Sequence, residues 1–534
     1  MKNIKLLDCT LRDGGRLFDC KFSDYEISQI TDRLSKSNID IIEIGFLRDP
    51  AKTNYTKNST FFNDVSQMSR FIPRDTKTKY VAFADYGMFD PDLLPVCDGS
   101  SVTGLRVGFT KKNFNQEKEG VKKALRDVKS KGYELFIQGV NSLGYNDEEF
   151  VEVLEMVNEM EPFSFGIVDT YGAMFPEDVD RIYSLVDKHL NKKIALDFHA
   201  HNNKQLAFAN SINVINLCKD RTLIIDGTLE GVGKCAGNLN LELIVNYLSD
   251  ELGYNYDFDE ILDTIDEFIR PLKNKYSWGY SVPALMGGLY KSHPNNIIYL
   301  FDKFRLSCKD FKNIISMIDK EKRQRYDYDD IERLYLEYSD SKIDDSYALE
   351  RLKAKYENKK VLVKSPGHTL IDYKSNIDDY IKSNNPEVIT VSYTESDFMC
   401  FVGNKRRYEK LIDKKHEGFV LTSNVKNKTD LEDELIVNYN SLIDRRYALY
   451  DNSVMMLLNL LKKLRVAEIA IAGFDGYELG KENYNDESFN NDRQIEKTDE
   501  INREISKMLR DFIDKVNPEI KIELITPSLY EGTE

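Results

Sequence analysis

From the amino terminus to about residue 250, short apolar runs alternate with amphipathic stretches of helical period. The runs are Ile4–Cys9, Ile39–Ile44, Tyr80–Ala84, Leu105–Val107, Leu135–Val140, Phe165–Val168, Ile194–Phe198 and Leu223–Ile225. Between them lie Tyr25–Lys36, Glu117–Lys131, Asp147–Met160, Pro176–Leu190, Lys204–Cys218 and Leu239–Leu252. Strands buried on both faces read as unbroken apolar runs. Eight of them, joined by helices within ~250 residues, predict a (β/α)8 barrel. The third unit is irregular: only Pro91–Leu94 offers a short helix between Ala84 and Leu105.

Barrels of this kind gather their chemistry at the carboxyl-terminal ends of the strands. Asp8-Cys9-Thr10-Leu11-Arg12-Asp13-Gly14-Gly15 straddles the end of the first run, and Glu43 closes the second. Asp169 follows the sixth, and His199-Ala200-His201 ends the seventh. On a strand, residues i and i+2 face the same side, so both imidazoles can reach one ion, with Asp13 adding a hard oxygen ligand. Two nitrogens and one oxygen leave positions open for water or substrate, as a catalytic ion requires. For Glu43 and Asp169, direct substrate contact and a buried supporting role both fit the sequence. The last strand leads into Gly231-Val232-Gly233-Lys234-Cys235-Ala236-Gly237-Asn238. Its glycines permit close backbone approach, which suggests a lid or anion-contacting turn, and Asn238 could complete a coordination shell.

At 534 residues the chain exceeds one core, so two or three domains are expected. Acidic residues outnumber basic ones by 90 to 74, which argues against general nucleic-acid binding. The seven cysteines form no Cys-x-x-Cys pair, as in a cytoplasmic protein with reduced thiols. No apolar run is long enough to span a bilayer and no signal peptide fits before Ile4, so no membrane partner is expected.

Thr10-Leu11-Arg12-Asp13-Gly14, the paired histidines followed by Asn202-Asn203, and the Gly-x-Gly-x-x-x-Gly-Asn loop resemble the DRE-TIM metallolyase superfamily. Its members include isopropylmalate and homocitrate synthases, hydroxymethylglutaryl-CoA lyase and 4-hydroxy-2-oxovalerate aldolase. A helical stretch after the barrel, holding Trp278-Gly279-Tyr280 and Ser292-His293-Pro294, is similar to the aldolase branch. The resemblance covers about the first 340 residues. It implies that Asp13, His199 and His201, with Asn238 as a fourth candidate, hold a divalent ion: Mn2+ or Mg2+ by preference, Co2+ or Zn2+ as alternatives. It implies that Arg12 stabilises the enolate of a 2-oxo acid, that an aldehyde is the partner, and that the protein forms a homo-oligomer. Glu43, Asp169, Gly231 and Gly233 would line the substrate. One position departs from the family: the aldolases place a general-base histidine three residues after the metal aspartate, where this chain has Arg16. A replacement base could be a hydroxide held by the ion, Tyr280, His293 or Cys235, and Arg16 could instead bind a phosphate or carboxylate. Cys235 also fits an inert place in a packed turn. Two rivals stand beside the aldolase: a Claisen-type synthase using an acyl-CoA and a 2-oxo acid, and a catalytically lapsed barrel serving as a scaffold for a nucleotide- or nucleotide-sugar-binding C-terminal domain.

The expected organisation is a metal-dependent barrel at 1–255, a helical extension at 256–338, a charged connector at 339–360 and a second α/β domain at 361–534. In the connector region, Arg333–Tyr338 and Ala348–Tyr356 read as exposed helices. Strand-like runs then resume at Val361–Val363, Val388–Val391, Phe398–Val402, Phe419–Leu421, Leu435–Val437, Glu468–Ala472 and Lys521–Ile525. Helical candidates, including Asn376–Lys382, Val454–Leu464 and Asp499–Val516, lie between several of them. This alternation predicts a Rossmann-like, doubly wound sheet. Its first turn, Lys364-Ser365-Pro366-Gly367-His368-Thr369, could present backbone N–H groups to a nucleotide phosphate, and Asp475 falls near the crevice. Together these turns faintly resemble Rossmann-like domains that accompany surface-polysaccharide enzymes. Residues 481–500, dense in Asn, Asp and Glu, read as a solvated loop.

Overall fold

The structure is a computed structural model that describes residues 3–74, 76–303, 306, 308–339, 343–425, 434–486, 498–516 and 519–530. Most of the acidic stretch 481–500 lies outside them. Chain contacts divide the protein into two units, Met1–Tyr328 and Asp329–Glu534.

In the first unit, nine parallel strands form the barrel and one short addition: β1 (Ile4–Asp8), β2 (Ile41–Leu47), β3 (Phe61–Phe62), β4 (Lys79–Asp85), β5 (Gly104–Phe109), β6 (Glu134–Gly139), β7 (Ser164–Asp169), β8 (Ala195–Ala200) and β9 (Leu223–Gly227). Strand β1 pairs with both β2 and β9, which closes the sheet into an eight-stranded barrel. The two-residue β3 adds to β2 outside the closed ring. The apolar runs form the strands because nearly every residue in them is buried. Helices such as Asp147–Met160 begin where a side chain caps them, here Asn146 accepting from the Glu149 N–H. The irregular third unit has only a 3-10 turn, Pro91–Leu93, between β4 and β5.

The extension runs through helices Phe258–Thr264, Val282–Tyr290, Pro294–Lys303 and Cys308–Met317. It docks at the carboxyl-terminal mouth. Asn203 Nδ2 donates to Ala284 O at 2.9 Å, and a Cβ on Gly288 would come within 3.2 Å of Gly172 O. Among the described residues, no helix is long and apolar enough to cross a membrane.

The second unit holds seven parallel strands: β10 (Lys360–Lys364), β11 (Glu387–Val391), β12 (Met399–Val402), β13 (Gly418–Thr422), β14 (Glu434–Val437), β15 (Glu468–Ala472) and β16 (Lys521–Leu524). Their order is β14-β13-β12-β11-β10-β15-β16, so the winding reverses beside β10, as in a doubly wound sheet. Two expectations need correction here. The helices read as exposed connectors bury apolar stripes: Ala348, Leu352 and Tyr356 at i, i+4 and i+8, and Ile331, Leu334 and Tyr335 at i, i+3 and i+4. The glycine turn after β10 is not an open phosphate cradle, because Asp475 already accepts from the Thr369 N–H at 2.8 Å and from the Thr369 hydroxyl.

Candidate metal centre

Asp13 follows β1 in a tight turn, its N–H donating to Cys9 O at 2.8 Å. His199 lies on β8 and His201 just past its end, so both side chains leave the strand on one side. Asp13 Oδ2 lies 3.5 Å from His201 Nε2 and 3.9 Å from His199 Nε2. Ligands about 2.0–2.2 Å from a shared ion sit roughly 3–3.6 Å apart, so these separations approach coordination distances. The set is a candidate three-ligand divalent-metal site.

Electrostatics suits these atoms to a cation. Burial lowers both imidazoles to about 4, overriding the attraction of Asp13, so both are neutral and present lone pairs. Burial alone would raise Asp13, but Arg12, the two imidazoles and Arg16 hold it well below the usual carboxylate range. His199 Nδ1 lies 2.9 Å from Asp226 Oδ2, which places the imidazole proton on Nδ1 and frees Nε2 for the ion. Asn238 Oδ1 is buried without a hydrogen-bond partner, while Asn238 pairs with His201 as a β-bridge and donates through Nδ2 to Val232 O at 3.0 Å. An orphaned buried oxygen beside a candidate ligand histidine fits a fourth donor.

Beneath the site lies a buried ionic core. Arg12 donates through Nε to Glu43 and through Nη1 to Asp13, each at 2.5 Å. Neither contact uses Nη2. Arg106, on β5 and fully buried, contacts Asp226 at 2.5 Å, Asp197 at 2.9 Å and Glu43 at 3.2 Å. Around these two guanidiniums lie five buried carboxylates, Asp8, Asp13, Glu43, Asp197 and Asp226. Burial pushes Asp8 and Asp197 up to about 7, and neighbouring carboxylates add to the rise in each.

Glu43 is Arg12's anchor, its Oε2 engaged by two guanidiniums. Asp169 is buried and accepts from the Ala173 and Met174 N–H groups at 2.8 and 3.0 Å, so it caps the turn after β7. Gly231 and Gly233 serve the loop's own folding. A Cβ on Gly237 would fall 1.9 Å from Gly231 O, and one on Gly233 would fall 2.5 Å from Asn238 Nδ2. Cys235 is pushed up to about 12 by burial, which makes its thiol a poor base. Tyr280 is 59 % exposed at the rim, next to Gly279, whose N–H donates to Cys235 O. His293 Nδ1 accepts from the Asn295 N–H at 3.1 Å, so its neutral ring carries its proton on Nε2. Arg16 reaches back over the site, its Nε 3.5 Å from Asp13 Oδ1. Reading the strand ends gave no role to Asp8, Arg106, Asp197 and Asp226. The available signal was a charge in or just after an apolar run.

Residues 101–267 match the HMGL-like family model. The barrel is similar to the DRE-TIM metallolyase superfamily. The chain is 25% identical over 323 residues to a 4-hydroxy-2-oxovalerate aldolase of Moorella thermoacetica, covering 58% of this chain and 90% of the relative. A 4-hydroxy-2-oxovalerate aldolase of Pseudoalteromonas translucida is 23% identical over 308 residues, covering 54% and 83%. Among solved structures, the HMG-CoA lyase from Brucella melitensis matches with a TM-score of 0.41 and 17% identity, covering 52% of this chain and all of that one.

Proposed function

We propose that the barrel is a divalent-metal-dependent aldolase that acts through the enolate of a pyruvate-like 2-oxo acid, with an aldehyde as partner. The observation that carries this reading is the convergence of Asp13, His199 and His201 donor atoms at 3.5–3.9 Å beside an arginine with a nitrogen to spare. The aldolase names of the relatives support the same class. Asp13, His199 and His201 would hold the ion, with Asn238 as a fourth candidate; Mn2+ or Mg2+ suits the mixed oxygen and nitrogen set. When bound, a divalent ion supplies Lewis acidity toward the keto oxygen of the 2-oxo acid.

The chain's own residues supply orientation and charge. Glu43 and Asp13 clamp Arg12 by two of its nitrogens, which aims the third without mobile reorganisation. Its charge cannot be lost at working pH, so it stabilises negative charge developing on the substrate. Asp226 fixes the His199 tautomer, and Arg106 fixes Asp226. The buried floor of the mouth excludes water from beneath the reacting carbon.

The test is exchange of pyruvate methyl protons in deuterated water with Mg2+- or Mn2+-loaded protein, sampled after chelation and read by proton NMR. Exchange should occur and should vanish in Asp13→Ala. Absence of exchange with pyruvate, oxobutyrate and oxaloacetate alike removes the aldolase reading.

A further inference from the structure

We propose that Arg16, Arg48 and Lys234 form a receptor for an anionic group, so that the aldehyde partner carries a phosphate or carboxylate arm. This deepens the aldolase reading and rests on it for the identity of the partner.

Arg16 is held loosely by the acids around it. Its Nε lies 3.5 Å from Asp13 Oδ1 and its Nη2 lies 3.7 Å from Asp85 Oδ2, both beyond good hydrogen-bond length. The Nε is buried and has no hydrogen-bond partner, while the side chain as a whole is 40% exposed and so reaches the mouth. Arg48, just past β2, is only 8% exposed. It spends Nη2 on Asp85 at 2.7 Å and leaves Nη1 buried without a partner. Both guanidinium carbons stand over the Phe46 ring, at 4.7 and 4.5 Å. Two cations therefore share one aromatic ring and one carboxylate.

Lys234 comes to the same mouth from the glycine loop. Its Nζ donates to Asn295 Oδ1 at 2.8 Å, a neutral acceptor. Burial and then the charge of Arg16 lower Lys234, so the two cations are close enough to repel. Asp19, which also faces Lys234, is a solvated side chain. Asp13 is committed to Arg12 and to the candidate ion.

Buried guanidinium donors are rarely left unpaired, and crowding like charges costs free energy unless an anion completes the arrangement. A planar guanidinium offers paired donors to the oxygens of a phosphate or carboxylate. The carboxylate of the 2-oxo acid belongs beside the ion and Arg12, so the second anionic group comes from the aldehyde. Aldol addition joins pyruvate C3 to the aldehyde carbonyl carbon. The methyl proton is balanced by one taken up on the new hydroxyl, and nothing is released. The product would be a 4-hydroxy-2-oxo acid with a second anionic end.

The test has two arms, both on Mg2+-loaded full-length protein. Calorimetric titration with inorganic phosphate and with succinate should show binding of at least one. Affinity should fall at least tenfold in Arg16→Gln and Lys234→Gln and recover in part in Arg16→Lys. Binding of neither probe, or equal affinity in wild type and both Gln variants, overturns the proposal. The second arm measures kcat/KM for condensation of pyruvate with propionaldehyde, succinic semialdehyde and glycolaldehyde phosphate. One anionic aldehyde should be preferred at least tenfold, which separates the carboxylate from the phosphate source. That ratio should collapse in Arg16→Gln, whereas a merely structural defect would lower all three together. Preference for propionaldehyde sinks the anionic arm and leaves the aldolase standing. Mutation-sensitive phosphate or succinate binding without pyruvate methyl exchange sinks the aldolase and keeps the receptor.

Discussion

Replacing Asp226 by Asn should move metal affinity and fold stability in different directions. Asp226 Oδ2 is shared between His199 Nδ1 at 2.9 Å and Arg106 Nη2 at 2.5 Å. The amide keeps the shape but loses the charge that makes His199 a strong donor. Loss of such a carboxylate–histidine contact typically weakens metal binding 10–100-fold, about 1.4–2.8 kcal/mol. Removing one partner of a buried ion pair usually costs about 3–5 kcal/mol. Here Arg106 retains Asp197 at 2.9 Å and Glu43 at 3.2 Å. Asp197 Oδ1 and Asp226 Oδ1 are both buried without partners, and the hydrogen bond the two carboxyls can share needs a proton. The side-chain amide introduced by Asp226→Asn would supply that proton permanently. Metal-free Asp226→Asn should therefore melt within about 1 kcal/mol of wild type, or above it, a Tm change of roughly 4 °C or less. Competition against a fluorescent chelator gives the metal affinity, and calorimetry of the metal-free protein gives the stability. A fall in affinity below about threefold, or a stability loss above ~3 kcal/mol, would refute this account of the ionic core.

Two further predictions concern the frame of the site. Asp8 is raised from 3.8 to about 7 by burial, against its hydrogen bonds from Thr10. The folded state holds its proton between those values and the unfolded state does not, so the contribution of Asp8 to stability declines as pH rises from about 4 to about 7. Asp8→Asn removes that decline, and its Tm advantage over wild type should be larger at pH 8 than at pH 5, worth ~2–4 kcal/mol; an equal difference at both pH values contradicts the assignment. Gly237→Ala places a Cβ 1.9 Å from Gly231 O at a φ of +76°. Thermal melts should show a loss of ~2 kcal/mol or more, and metal affinity should drop as Asn238 shifts; a neutral substitution would mean that the loop does not hold that residue in place.

Much of the architecture was legible because burial writes itself into sequence. Strands covered on both faces are apolar at most positions, so β1 and β2 and β4 through β9 read as runs, and the same rule exposed β10 through β13 and β15; β14 and β16, at the sheet edges, are partly exposed. The candidate histidine pair was legible for a local reason: His199 and His201 are two residues apart, and strand geometry alone puts them on one side. The connector helices were misread because charged neighbours surround Ala348, Leu352 and Tyr356, and a stripe with a spacing of four is easily lost among Lys and Glu. The short β3 was not legible, since two phenylalanines carry no period.

What the sequence could not supply was pairing across the closed barrel. Arg106 on β5 meets Glu43 on β2, Asp197 on β8 and Asp226 on β9, partners 63, 91 and 120 positions away, and only closure brings them together. Each was visible as a charge in or just after an apolar run, but no local spacing says which charges neutralise one another. The glycine loop shows the same division. Its composition announced tight turns, whereas the contact of Gly237 with Gly231 decided that the tightness holds Asn238 beside His201. Local chemistry set which residues could bind an ion. Ring closure decided what surrounds them, by burying them together with acids and an arginine from strands far apart in the sequence.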